Sequence, residues 1–144
     1  MEQISASARD NRLSFDLPCT KKSLGRAREK ISRFAHDHGF EPYIEDIALA
    51  TQEAVKNVIQ HACPADNMVQ IVFVAKQDRM VIEVTDTGTG FDIGVVENGS
   101  VSPMALHGRG IQIIRGLMDE VTISSDQEGT LVHMEKMRDS SSGP

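Results

Sequence analysis

Cysteine occurs only twice in the chain, at Cys19 and Cys63, too few for a disulfide framework and without the spacing of a zinc site. Each lies beside a proline, Pro18 or Pro64, and both are expected as free thiols. The five histidines do not cluster with them, so no zinc centre is expected. Long apolar runs are missing as well, and the opening MEQISASARDNRLSF lacks the charged-then-apolar order of a signal peptide. The expectation is a cytoplasmic protein with no membrane partner. There is no excess of positive charge: the formal net charge is −6, which argues against a nucleic-acid partner. No G-x-x-x-x-G-K-[ST] run occurs and no G-x-G-x-x-G opens a βαβ unit, which excludes a P-loop and a dinucleotide fingerprint. Internal repeats are absent too.

What is present is one compact domain's worth of chain. It has 144 residues, of which 40% are hydrophobic and 25% charged, the balance of a globular protein with a real core. Residues 1–11 read as a flexible N-terminal tail, 12–137 as the domain, and 138–144 as a flexible C-terminal tail. Leu13, Phe15 and Leu17 alternate with Ser14 and Asp16, the period of a half-buried strand, which Pro18 ends. Thr20 is the expected N-cap of a helix carrying Leu24, Ala27, Ile31, Phe34 and Ala35 on one face, with Gly39 as its stop. Pro42 opens a second, longer helix whose apolar stripe is Ile44, Ile47, Ala48, Thr51, Ala54, Val55, Val58 and Ala62. Strands from Met68 to Lys76 and from Arg79 to Asp86 flank a two-residue turn, which implies an antiparallel pair. The stretch from Thr87 to Gly108 is rich in glycine and serine and reads as a functional lid or a disordered segment. A short helix bearing Ile111, Ile113, Ile114, Leu117 and Met118 follows, then a hairpin from Val121 to Ser125 and Thr130 to Met137. Strands in antiparallel neighbours and helices in blocks give an α+β class: a two-layer α/β sandwich, a mostly antiparallel mixed sheet with helices on one face.

Three segments carry chemistry. On the long helix, Glu53, Asn57 and His61 fall at i, i+4 and i+8 along one edge of the apolar stripe, while Gln52, Lys56 and Gln60 face solvent. Such a row either lines a cleft or merely borders the core. The loop Asp86-Thr87-Gly88-Thr89-Gly90-Phe91-Asp92 follows an apolar strand, and alternation with Ile82 and Val84 turns the Asp86 carboxylate inward. A buried carboxylate needs a donor, and an adenine exocyclic amine is one. Gly88 and Gly90 allow close approach of a flat ring or a phosphate. Gly108-Arg109-Gly110 opens a helix, whose free N–H groups and positive dipole end suit phosphates. Arg109 either reaches the same anion or is a solvated charge.

Taken in order, E53-A-V-K-N57-V-I-Q-H61, D86-T-G88-T-G90-F-D, G108-R-G110-I-Q-I-I-R-G-L-M-D-E-V121 and G129-T130 resemble the boxes of the GHKL (Bergerat-fold) ATPase superfamily. The wording is similar to that of the bacterial anti-sigma-factor serine kinases, over about residues 12–137. The resemblance implies the Bergerat ATP-binding fold, ATP and Mg2+ as cofactors, Glu53 as general base, and Asn57 as magnesium ligand. It implies Asp86 as reader of the adenine amine, with Gly88 and Gly90 shaping its pocket, and Thr130 adding a hydroxyl nearby. Gly108, Arg109 and Gly110 would serve the phosphates, and His61 matches a recurring histidine of the family. The chain departs from its relatives at Leu106-His107, where they often carry a basic or small polar residue. Arg26 falls where relatives dock partners, although a solvated helix arginine reads the same way. The implied function is that of an anti-sigma factor and serine-protein kinase. It would phosphorylate a STAS-domain anti-anti-sigma partner, sequester a sigma factor and form a homodimer. The alternative is a catalytically weak, ATP-gated protein-binding switch.

Overall fold

The computed structural model describes residues 4–6, 11–61, 68–86, 108–126 and 129–138. Six strands form one sheet: β1 (Ile4–Ala6), β2 (Arg12–Pro18), β3 (Met68–Ala75), β4 (Arg79–Asp86), β5 (Glu120–Asp126) and β6 (Gly129–Met137). Their order is β1-β2-β3-β4-β6-β5, and every pairing is antiparallel. The helices are α1 (Lys22–Asp37), α2 (Ile44–His61) and α3 (Gly108–Leu117), with a 3-10 turn at Glu41–Tyr43 before α2. The expected two-layer α+β sandwich is what forms, and its described pairings contain no parallel member.

Strand alternation decides which face is covered. Phe15 and Leu17, then Val69, Ile71 and Phe73, then Met80, Ile82 and Val84, then Val132 and Met134 are all buried against the helices. The registers Phe15↔Ile71↔Val84↔Val132 and Leu13↔Phe73↔Ile82↔Met134 place them in rows across the sheet. Phe73 sits at the centre, edge-on to Phe15 at 5.5 Å and tilted against Phe34 of α1 at 5.7 Å. Burying each such side chain contributes roughly 1.5–3 kcal/mol. Helix α1 supplies Ala27, Ile31, Phe34 and Ala35, and α2 supplies Ile47, Ala48, Thr51, Ala54, Val55 and Val58. Thr51 is a polar residue in this stripe, and its hydroxyl donates to the Ile47 carbonyl at 2.8 Å, which removes the cost of burying it.

Four expectations change. Part of the presumed N-terminal tail, Ile4–Ala6, pairs with β2, because the free edge of β2 offers unpaired backbone groups. Helix α1 starts after Lys21, not Thr20, and no side chain caps it. Its entry is tied instead by the Ser23 hydroxyl, which donates back to the Pro18 carbonyl, and by the Thr20 N–H, which donates to Pro18 at 2.8 Å. Ile113, assigned to the apolar stripe of α3, is 37% exposed; the buried row is Ile111, Ile114 and Met118. Cys19 is not a free thiol: it is disulfide-bonded and 5% exposed. Gly39 does end α1 as expected, with a φ of 83° that only glycine adopts without strain. Arg138 then closes the bottom of the fold. It stacks at 4.5 Å on Phe40 and donates to the carbonyls of Gly39 and Gln77.

The face of the sheet away from the helices carries a charge network. His133 Nδ1 lies 2.7 Å from Glu83 and Nε2 lies 2.7 Å from Glu135, which also accepts from Arg79 at 2.6 Å. Carboxylates only accept, so both ring nitrogens donate and the imidazole is protonated. Burial penalises that charge, but the hydrogen bonds to Glu135 and Glu83 outweigh it and hold His133 above the ordinary histidine range. Its stabilisation is therefore complete below the unfolded value of 6.5 and is lost as pH rises through the raised folded value. Thermal melts of wild type and His133→Gln between pH 6 and 9 are expected to converge by a few degrees as pH rises. A constant gap across that range contradicts the assignment.

Candidate functional site

Helix α2 brings the first group of residues together. The stripe that faces the sheet fixes its rotation, and Asn57 consequently turns inward at 3% exposed while Glu53 stays half-buried and Lys56 and Gln60 face out. One turn separates Glu53 from Asn57, so both side chains project from the same edge. His61 is the last residue of the helix, and its side chain lies outside the described residues. Asn57 Nδ2 is buried with no hydrogen-bond partner among the described residues. Leaving such a donor unmet costs about 1–3 kcal/mol, a cost that a bound acceptor removes.

The second group lies at the end of β4. Asp86 is 1% exposed on the covered face of the sheet, as alternation predicts. Its Oδ1 accepts the Thr130 N–H at 3.0 Å, and Thr130 itself is fully buried at the start of β6. The sequence argument gave this carboxylate a ligand donor; the protein supplies the first donor itself. Pairing of β4 with β6 is the cause, since it sets Thr85 opposite Leu131 and carries Asp86 alongside Thr130. Gly88 and Gly90 lie outside the described residues, as does the whole 87–107 stretch expected as a lid.

The third group is the start of α3. Gly108 is its first residue and Arg109 its second, with the Arg109 side chain outside the described residues. Gly110 sits directly against the α2 pair. A Cβ at this position would lie 3.1 Å from Asn57 Nδ2, 3.2 Å from Asn57 Oδ1 and 3.3 Å from Glu53 Oε1. The fold thus joins two of the three segments at one point: a helix N-terminus, a buried amide and a carboxylate. Free N–H groups at a helix terminus suit an anion, and a carboxylate beside them can accept a proton.

The donor chemistry fits ATP with magnesium. No group of three or more His, Cys, Asp or Glu that could hold a metal occurs among the described residues. Magnesium does not need one: it is held by one or two protein oxygens, with phosphates and waters completing its shell. Asn57 Oδ1 is such an oxygen, and the glycine at position 110 keeps the space in front of it clear. Sequence reasoning missed the Asp86–Thr130 bond, whose signal was available only in the 44-residue separation of two strands that pair. Among the described residues, no helix is long and apolar enough to cross a membrane.

The chain is similar to known proteins over most of its length. A serine-protein kinase RsbW of Listeria monocytogenes is 31% identical over 137 residues, covering 88% of this chain and 87% of its own. A protein of the same name from Bacillus licheniformis is 35% identical over 131 residues, covering 83% and 81%. Among solved structures, the histidine kinase domain of the blue-light activated histidine kinase from Erythrobacter litoralis EL346 shares the fold. It has a TM-score of 0.55 at 19% identity, over 92% of this chain and 69% of that one. Residues 17–136, from the end of β2 into β6, match the histidine kinase-like ATPase domain, and the chain belongs to that family.

Proposed function

We propose that the protein is an ATP-dependent protein-serine kinase and anti-sigma factor, acting on a STAS-domain anti-anti-sigma protein and sequestering a sigma factor. One observation carries this most: Glu53 and Asn57, one turn apart on α2, both meet Gly110 at the head of α3. Relatives named serine-protein kinase RsbW support the reaction class. Asp86 reads the adenine amine, with Gly88 and Gly90 shaping the pocket and the Thr130 hydroxyl beside it. The N-terminus of α3, with Gly108, Arg109 and Gly110, takes the phosphates, and His61 borders the site. Asn57 would hold magnesium, which supplies neutralisation of phosphate charge when bound. Glu53 accepts the proton of the partner's serine hydroxyl. The serine oxygen then bonds to the γ-phosphorus, the bond to the bridging oxygen breaks, and ADP leaves. The protein works in the cytoplasm as a homodimer in this reading.

Incubation with γ-labelled ATP and the STAS protein encoded nearest its gene tests the reading. Label is expected on a serine of that protein. ATP binding without transfer would instead select a nucleotide-gated binding module. Gly110→Ala is a second check. Alanine favours a helix over glycine by about 1 kcal/mol, so the melting temperature is expected to hold or rise. The added methyl must displace the Asn57 amide, so ATP affinity is expected to fall about tenfold, the effect of about 1.4 kcal/mol. Wild-type affinity in the alanine variant speaks against the close approach.

A further inference from the structure

Along α2, Asp46, Ala50, Glu53 and Asn57 recur at i, i+4, i+7 and i+11, a single row on one side of the helix. The start of α3 meets this row at Glu53 and Asn57 through Gly110. Its last residue, Leu117, comes level with Asp46, because one ammonium reaches both. Lys136 Nζ, on β6, donates to the Asp46 carboxylate at 3.1 Å and to the Leu117 carbonyl at 2.6 Å. The two helices therefore run in opposite directions along the row, with Ala50 fully buried between the contact points. The Lys136 side chain is only 13% exposed and its ammonium lies 6.0 Å from the Tyr43 ring. Burying an ammonium is costly unless its donors are met, and here the two acceptors belong to α2 and α3. Both are also helix ends: a carboxylate in the first turn of α2, and the last carbonyl of α3, which has no partner within its own helix.

We propose that Lys136 is a positioning residue for the phosphate end of the site. It sets the spacing of α2 and α3 and, with it, the approach of Gly110 to Asn57; the inference rests on the nucleotide reading of that site. Asp46 and Asn57 are eleven residues apart, roughly 16 Å along the axis, so Lys136 touches no part of the nucleotide and acts through the placement of α3. That placement has little slack at Gly110, where a Cβ would lie 3.1 Å from Asn57 Nδ2. A helix held by Lys136 has to push an added methyl against the amide. A helix released from it withdraws by the few tenths of an ångström that the methyl requires.

Calorimetric titration of the full chain with ATP, in wild type, Gly110→Ala, Lys136→Met and the double variant, tests the coupling. Methionine keeps an unbranched apolar stem and removes the ammonium. Lys136→Met is expected to weaken ATP binding about tenfold. Gly110→Ala, expected to cost about tenfold in the wild-type background, is expected to cost no more than about twofold beside Lys136→Met. A lysine that only stabilises the fold leaves the two effects multiplicative, about a hundredfold together, and that result overturns the proposal. Amide exchange without nucleotide gives a second readout. The amides from Ile111 to Met118 are expected to exchange about tenfold faster in Lys136→Met, with Ile82 and Val84 of β4 unchanged. No acceleration in α3, or equal acceleration in β4, also overturns it. Wild-type protein that binds no ATP overturns the nucleotide reading, while exchange still decides whether Lys136 holds α3. If Lys136→Met does not fold, Asp46→Ala at its half-exposed position removes the α2 leg alone. It is expected to weaken ATP binding about threefold and to speed exchange in α3, and wild-type values for both contradict the positioning role.

Discussion

Replacing Glu53 by glutamine is expected to slow phosphoryl transfer to the STAS partner by roughly 10²- to 10⁴-fold, the contribution of a positioned general base. ATP affinity is expected to stay within about twofold, because the substitution keeps shape and removes only the charge. The reason lies in the setting of the carboxylate. Glu53 is half-buried, so water still reaches it, and its Oε1 lies beside the position that a Cβ of residue 110 would take. In the proposed reading this carboxylate acts on an incoming hydroxyl without holding the nucleotide. Single-turnover transfer and equilibrium binding separate the two roles. A glutamine variant that transfers phosphate at the wild-type rate removes Glu53 from the chemistry, whatever its affinity.

Asp86→Asn acts on binding instead. The amide oxygen can still accept the Thr130 N–H that Asp86 Oδ1 accepts at 3.0 Å, so the fold is expected to keep its melting temperature within a few degrees. The other position becomes an NH2 group facing the place proposed for the adenine amine. Two donors then confront each other in a buried site, at a cost of about 1–3 kcal/mol. ATP affinity is expected to fall roughly 5- to 150-fold, measured by calorimetry at fixed magnesium. Unchanged affinity would move the adenine away from Asp86 and with it the whole orientation of the nucleotide.

Much of this architecture was legible in the residues alone. Alternation of Leu13, Phe15 and Leu17, and the two-residue turn between β3 and β4, specify local geometry that pairing then completes. The inward aspect of Asp86 followed from the same alternation, and the rotation of α2 from its stripe. Misses arise where distant segments decide. Ile4–Ala6 is three residues with no pattern to read, and becomes a strand only because β2 has an open edge. Thr20 has the right chemistry for a cap, but the turn formed with Pro18 moves the helix start beyond it. Ile113 matches an apolar face on a helical wheel, yet among the described residues α3 packs against α2 and β5, and Ile111, Ile114 and Met118 take that side. No spacing rule marks Cys19 as one half of a disulfide, so its bond was invisible. The Asp86–Thr130 contact needs the β4–β6 register, which neither strand announces.

The C-terminal end of α3 is held unlike its beginning. Lys136 donates to the Leu117 carbonyl at 2.6 Å and to Asp46 at 3.1 Å, while Asp119 N–H donates to Glu135 at 2.9 Å and Asp119 accepts from Met137 N–H at 2.7 Å. At its other end Gly110 lies against Asn57 and Glu53, with Ile111 and Ile114 buried just behind it. The carbonyl end of α3 is tied to β6, the strand whose start also sets Thr130 against Asp86. One strand therefore supports both the adenine end of the proposed site and the helix placed at its phosphate end.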